Sequence, residues 1–147
     1  MTSNLVDHRA GRVAARLAKV LEGALGTVEL SLPQYRLLVF LSEKAEAAST
    51  LASKLAVRPP SVTALVDGMV ARGLVERRPD ESDRRRVAHT LTDEGRNTLA
   101  AADEAVERAL ADLADLLGPA RGRRAAEGLA LWGEALDAAR ERRLAAR

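Results

Sequence analysis

The chain has 147 residues, 47% hydrophobic and 30% charged but only 2% aromatic, with a formal net charge of +2. That length fits one folded domain with a modest core, filled here by alanine and leucine. There is no cysteine, which excludes disulfides, thiolate metal sites and cysteine redox sensing. His8 and His89 lie far apart and lack ligand spacing with carboxylates, so no metal site and no cofactor is expected. No signal core and no run near the ~18 apolar residues of a membrane helix occurs, so the expected location is cytoplasmic, without membrane contact.

Residues 6–25 are predicted to form one long helix. Val6, Ala10, Val13, Leu17, Val20 and Ala24 recur at alternating steps of four and three, and Leu21 and Leu25 widen the stripe. A face that long needs other long helices to cover it. Arg9, Arg12, Arg16 and Lys19 line its flank, either as a solvated basic face or as a hold for an anionic ligand. Gly23, Gly26 and residues 27–32 break the helix. Ser31 and Gln34 have capping-box spacing, with Pro33 in the first turn. Leu37, Leu38 and Leu41 mark a second helix ending near residues 42–44. Tyr35 is either a core aromatic with its hydroxyl at the edge or a ligand contact.

Residues 45–48 are predicted as a loop, at most a one-bridge strand, and Ser49 as the cap of a third helix over 50–56. A tight corner follows at residues 57–60. Pro59 and Pro60 can open a fourth helix, where no intrahelical N–H is needed. Val62, Leu65, Val66 and Met69 should face inward, leaving Ser61, Thr63 and Ala64 outward. The free N–H groups at such a helix start, with Arg58 just ahead, suit phosphates or base edges. An ordinary capped amphipathic helix is the other reading.

Gly73 stops that helix. Leu74-Val75 and residues 87–91 then alternate in period two around a long loop, a hairpin pattern. Arg77, Arg78, Arg84, Arg85 and Arg86 crowd this hairpin, diluted by Asp80, Glu81 and Asp83. Arginines at such a tip can meet phosphate or enter a narrow minor groove. The spacing also lets the Asp83 carboxylate pair with the Arg85 guanidinium. A solvated basic loop is the alternative, weakened by the helix pair that precedes it.

Thr92 is a good N-cap for a fifth helix reaching residue 117, with Asp93 and Glu94 in its first turn. Gly118-Pro119 ends it, and a last helix over about 120–142 carries Leu129, Trp132, Leu136 and Ala139. The tail, 140–147, is basic and expected to fray. Three long helices thus flank a compact central lobe, and a two-fold homodimer is the commonest way to cover their stripes. The fold class is mainly α with a small β-hairpin. No Gly-rich phosphate loop and no local Ser/His/Asp signature appears, which leaves an enzyme reading without support.

The order of parts resembles the MarR (multiple-antibiotic-resistance regulator) family of winged-helix transcription factors. The likeness rests on LSLPQYRLL at 30–38, STLASKLAV at 49–57, PSVTALVDGMVARGLVERRPDESDRRR at 60–86 and LTDEG at 91–95. The family's wing motif, Asp-x-Arg followed six residues later by Leu-Thr, falls on Asp83, Arg85, Leu91 and Thr92. The resemblance implies a single domain over 1–147. A winged helix-turn-helix lobe would span about 31–92, and dimerisation helices about 5–26 and 93–145. It implies a homodimer that binds double-stranded DNA at an inverted-repeat operator, most often as a repressor relieved by a small phenolic or anionic effector.

Residues 60–73 would be the recognition helix and 77–87 the wing, with Arg85 entering the minor groove beside its partner Asp83. The implied DNA-contacting set is Ser49, Arg58, Pro60, Ser61, Thr63, Ala64, Arg77, Asp83, Arg84, Arg85 and Arg86. By position alone, an effector site would draw on Arg12, Arg16, Tyr35 and Leu38. Two departures stand out. Ala56 and Arg58 occupy a corner where the family commonly has Gly and then a Ser cap, and the absence of cysteine excludes thiol-oxidation sensors. A winged-helix module that binds another protein instead of DNA is the alternative, motivated by the modest net charge and the acidic residues of the wing. A constitutive DNA binder is a third, since few aromatics are available to stack on a phenolic ligand.

Overall fold

A computed structural model describes residues 7–43, 46–55 and 58–146, with the backbone alone at 46–49 and 59–60. The expectations for Val6, Ala45, Ala56, Val57 and Arg147 lie outside the described residues, as do those for the side chains of Ser49 and Pro60.

Helix α1 (His8–Gly26) takes Asp7 as its N-cap. The Asp7 carboxylate accepts from the backbone N–H groups of Arg9 at 2.9 Å and Ala10 at 3.3 Å, which satisfies two donors left open at a helix start. Helix α2 (Leu32–Glu43) opens with the expected capping box. The Ser31 N–H donates to Gln34 Oε1 at 2.9 Å, and the Gln34 N–H donates back to Ser31 Oγ at 3.3 Å.

Strand β1 (Glu46–Ala47) runs straight into helix α3 (Ala48–Leu55). Ser49 therefore lies inside the first turn of α3 and is not its N-cap. The helix begins earlier than its composition suggests because β1 is held in a sheet up to its last residue. At the other end, Arg36 donates Nη2 to the Leu55 carbonyl at 3.0 Å.

Helix α4 (Pro59–Ala71) begins as the prolines require: Arg58 is extended and its side chain makes no capping bond. Its C-terminus closes as a Schellman motif. Gly73, at φ 71°, lets its own N–H reach the Val70 carbonyl at 2.9 Å and the Leu74 N–H reach Met69 at 3.0 Å. Met69 and Leu74 are both buried.

The chain then forms β2 (Val75–Pro79) and β3 (Val87–Leu91), paired antiparallel from Val75↔Leu91 to Pro79↔Val87. The arms are thus longer and the tip shorter than the sequence suggested, because Glu76, Arg77, Arg78 and Pro79 all stay in register. β1 adds to the far side of β3 through Glu46↔His89 and Ala47↔Ala88, making a three-stranded sheet in the order β1-β3-β2.

Helix α5 (Asp93–Asp115) is tied to this sheet at its first turn. Thr92 Oγ1 donates to the Gly73 carbonyl at 2.6 Å and accepts from the Gly95 N–H at 3.0 Å, while the Thr92 N–H donates to the Leu74 carbonyl at 3.1 Å. One threonine thus joins the end of β3, the start of β2 and the N-terminus of α5. Thr92→Val keeps the shape but removes both hydroxyl bonds. A loss of about 1–2 kcal/mol is expected in chemical denaturation. An unchanged midpoint would show that the hydroxyl carries no net stability.

Helix α6 (Pro119–Ala145) takes Pro119 in its opening turn, and helix continues through residues 140–145, which the sequence suggested would fray. Arg140 sits 4.0 Å from Asp137 one turn back. The described residues divide into two compact units, Met1–Val106 and Glu107–Arg147. The core of the first is built from Leu25, Leu37, Leu38, Leu51, Val62, Val66, Met69, Val75 and Leu91, all essentially without exposed surface. In the second, α5 and α6 approach closely. A Cβ on Gly122 would stand 2.7 Å from the Ala114 carbonyl oxygen. That unit leaves Leu116, Leu129, Leu131, Trp132 and Leu136 largely exposed.

Candidate nucleic-acid interface

Helix α4 divides its faces sharply. Val62, Val66 and Met69 are buried, and Leu65 is half-buried. Ser61, Thr63, Ala64, Asp67, Gly68 and Ala71 are exposed. This is the split the 3.6-residue period demands, and it sets Ser61, Thr63 and Ala64 outward as expected. The helix start differs from expectation: Pro59 and Pro60 carry no N–H, and the N–H groups of Ser61 and Val62 donate to the Arg58 carbonyl at 3.0 and 3.3 Å, so no backbone donor is left free there. Arg58 stands exposed just ahead of it.

The wing tip, residues 80–86, is ordered by its own carboxylates. Asp80 Oδ1 accepts from the Ser82 hydroxyl at 2.6 Å and the Ser82 N–H at 2.8 Å. The hydroxyl bond first, and the N–H bond next, hold the Asp80 carboxyl below the usual range. Any stability this anion gives the turn is present above the ordinary carboxylate range and is lost as pH falls through the lowered value. The Asp80 N–H donates to the Arg86 carbonyl at 2.9 Å, and the Arg86 N–H to the Asp83 carbonyl at 2.9 Å, so the tip closes on itself.

Asp83 differs from expectation in its contact. Its carboxylate accepts from the Arg85 backbone N–H at 3.0 Å and not from the guanidinium. A side chain two residues away reaches the intervening turn's amide more readily than the end of a long arginine, which is the geometry of an Asx-turn. The result fixes the backbone beneath Arg85, while Arg84, Arg85 and Arg86 remain exposed.

Arg77 and Arg78 sit lower, on β2. Arg78 pairs with Glu76 at 2.5 Å, and Arg77 Nη2 donates to Asp67 Oδ1 on α4. On the strand, Arg77 and Arg78 are engaged by carboxylates; at the tip all three arginines are exposed, and the Arg86 charge helps hold the Asp80 carboxyl down. Nothing in the residues next to Asp67 announces its contact with Arg77. Its spacing of four from Thr63 was the available signal, since it puts both on one helical face.

The four residues considered for an effector lie in different settings. Arg12 and Arg16 are exposed on α1, and Leu38 is fully buried in α2. Tyr35 donates its hydroxyl to Asp103 Oδ1 on α5 at 2.6 Å, a partner the sequence could not reveal across 68 positions. Elsewhere in the first unit, Pro33, Arg36, Leu55, Ser61 and Leu65 line a cavity of about 180 Å³ beside the start of α4. Among the described residues, no group of three or more His, Cys, Asp or Glu is placed to hold a metal ion, and no helix is long and apolar enough to cross a membrane.

A helix pair, a second helix with a small polar outer face and a hairpin with a basic tip together make a winged helix-turn-helix, the architecture of a DNA-binding transcriptional regulator. The chain belongs to the MarR family, whose model matches residues 30–87. It is 31% identical to the transcriptional repressor CouR in a structure bound to a 23-mer DNA duplex, at a TM-score of 0.73 over 89% of this chain and 92% of that one. A second structure, CouR from Rhodococcus jostii RHA1 bound to p-coumaroyl-CoA, is 33% identical at a TM-score of 0.62 over 67% of this chain and 71% of that one. The HTH-type transcriptional regulator YfiV of Bacillus subtilis (strain 168) is 27% identical over 96% of this chain and 93% of its own length.

Proposed function

We propose that this protein is a homodimeric repressor that binds an inverted-repeat operator and leaves it when a small phenolic or anionic effector binds. The observation that carries the reading is the pairing, within one compact unit, of the exposed face of α4 with a hairpin whose tip projects Arg84, Arg85 and Arg86. In this reading α4 enters the major groove, with base or phosphate contacts from Arg58, Pro60, Ser61, Thr63 and Ala64. Ser49 contacts the backbone from α3. The wing follows the neighbouring minor groove, and Arg77, held by Asp67, frames the passage between the two. Residues of about 31–92 form the DNA-binding lobe, and about 5–26 and 93–145 the dimerisation helices of a single domain. The exposed apolar side chains Leu129, Trp132 and Leu136, in line along α6, support a partner copy. The protein acts in the cytoplasm and carries no catalytic activity of its own.

Arg12, Arg16, Tyr35 and Leu38 are the proposed effector residues, with the Tyr35–Asp103 bond the polar contact a ligand would have to replace. The capture of p-coumaroyl-CoA by CouR supports an acyl thioester or its parent aromatic acid as the first class to examine. The test is selection of random duplex DNA by the full-length protein, followed by release assays on the selected operator. We expect an enriched inverted repeat with half-sites one helical turn apart, released by an aromatic acid or its CoA thioester. No enrichment by a folded dimer at low salt would overturn the DNA-binding reading. Enrichment without release by either class would leave a constitutive binder.

A further inference from the structure

We infer that Asp67 is a base-reading residue of α4 that selects cytosine at one position of each half-site, with Arg77 as the group that permits a carboxylate to stand there. The inference rests on the proposed docking of α4 in the major groove. Four observations carry it. First, the exposed face of α4 is Ser61, Thr63, Ala64, Asp67, Gly68 and Ala71, and it offers no Arg, Lys, Asn or Gln. The usual bidentate readers of guanine and adenine are therefore missing from this helix. Second, Asp67 is the only charged side chain on that face. Its side chain is 57% exposed, and its Oδ1 is engaged by Arg77. Third, its neighbours Ala64, Gly68 and Ala71 are small, so the backbone can come close enough for a short side chain to reach a base edge. Packing does not impose the glycine, because a Cβ on Gly68 would meet nothing within 4 Å. Fourth, the ion pair offsets the repulsion between an unpaired carboxylate and the phosphates that flank the groove.

The base follows from the acceptor chemistry. An ionised carboxylate only accepts hydrogen bonds. Guanine presents O6 and N7 acceptors in the major groove and would be repelled. Thymine presents O4 and a methyl group. Adenine offers its N6 amino group but sets the N7 acceptor beside it. Cytosine offers its N4 amino group with no neighbouring acceptor, and is the one base that satisfies the carboxylate without repelling it.

The experiment compares the operators selected from random duplexes by the parent protein, Asp67→Asn and Asp67→Ala, each first checked for an unchanged thermal midpoint. For the parent we expect one position per half-site fixed as cytosine. With Asp67→Asn that position should move to adenine, because an amide can bond N6 and N7 together. With Asp67→Ala it should lose its preference, the remaining positions being kept in both variants. Competition between duplexes that differ at this position in one half-site should favour cytosine by roughly 5- to 150-fold for the parent. If the parent enriches an operator and both variants enrich the same one, base reading by Asp67 is overturned while DNA binding stands. If the variants lose preference at every position equally, Asp67 only positions the wing through Arg77, and the inference also fails. If the parent enriches nothing, both the inference and the DNA-binding reading fall.

Discussion

Gly95→Ala should cost about 3–5 kcal/mol of folding free energy, a large fraction of the roughly 5–15 kcal/mol that keeps an ordinary domain folded. A Cβ at this position would stand 3.0 Å from the Leu74 carbonyl carbon and well inside the van der Waals envelope of its oxygen. The obstacle is backbone, so no rotamer change relieves it. Neither partner is free to retreat: the Leu74 carbonyl also accepts the Thr92 N–H at 3.1 Å, and Gly95 donates its own N–H to Thr92 Oγ1 at 3.0 Å. Relief would require lifting the first turn of α5 off the start of β2, which opens the buried side of the hairpin at Val75 and Leu91. Gly23→Ala is the control, since a Cβ there meets nothing within 4 Å. In a helix interior it should stabilise by about 0.5–1 kcal/mol. Urea denaturation of both variants decides the matter. A Gly95→Ala midpoint equal to the parent's would mean that the contact relaxes at no cost.

The second large effect is on operator affinity. Arg85→Ala should weaken binding by about 1–3 kcal/mol per wing, and so by roughly 2–6 kcal/mol for a dimer in which the two wings act independently. The arginine is exposed at the tip, and its backbone is held from below by Asp83. Removing the side chain therefore leaves the Asx-turn intact, and the thermal midpoint and dimer should be unchanged. Because the guanidinium is not engaged by Asp83, its full charge is available to the groove. Asp83→Asn keeps an oxygen able to accept the Arg85 N–H and should lower affinity less than Arg85→Ala does. Fluorescence anisotropy on the selected operator, at two salt concentrations, measures both variants. Equal affinity of Arg85→Ala and parent would remove this residue from the interface.

Much of the architecture is legible in local chemistry. The capping box at Ser31 and Gln34, the proline pair that opens α4, and the glycine at positive φ that closes it are each set by a few neighbouring residues. The period of α4 sorted its inward from its outward residues because the buried positions, Val62, Val66 and Met69, recur at helical spacing. The boundaries were less legible. The N-cap of helix α1 is a carboxylate at Asp7 that accepts from the Arg9 and Ala10 N–H groups, a signal separate from the apolar repeat. The C-terminal run of arginines forms helix through Ala145, since α6 is already nucleated and each further residue adds a bond.

By itself the sequence determined the order of elements, the winged helix-turn-helix class and the outward set of α4, because these follow from periodicity, caps and turn residues within short spans. Only the tertiary structure decided which groups are spoken for. It joined Tyr35 to Asp103, Arg72 to the Glu29 carbonyl, Arg77 to Asp67, and β1 to β3. Each of these pairs lies ten or more residues apart along the chain and is made only when the core brings two elements together. That burial, not local spacing, set Arg77 against a carboxylate on another element.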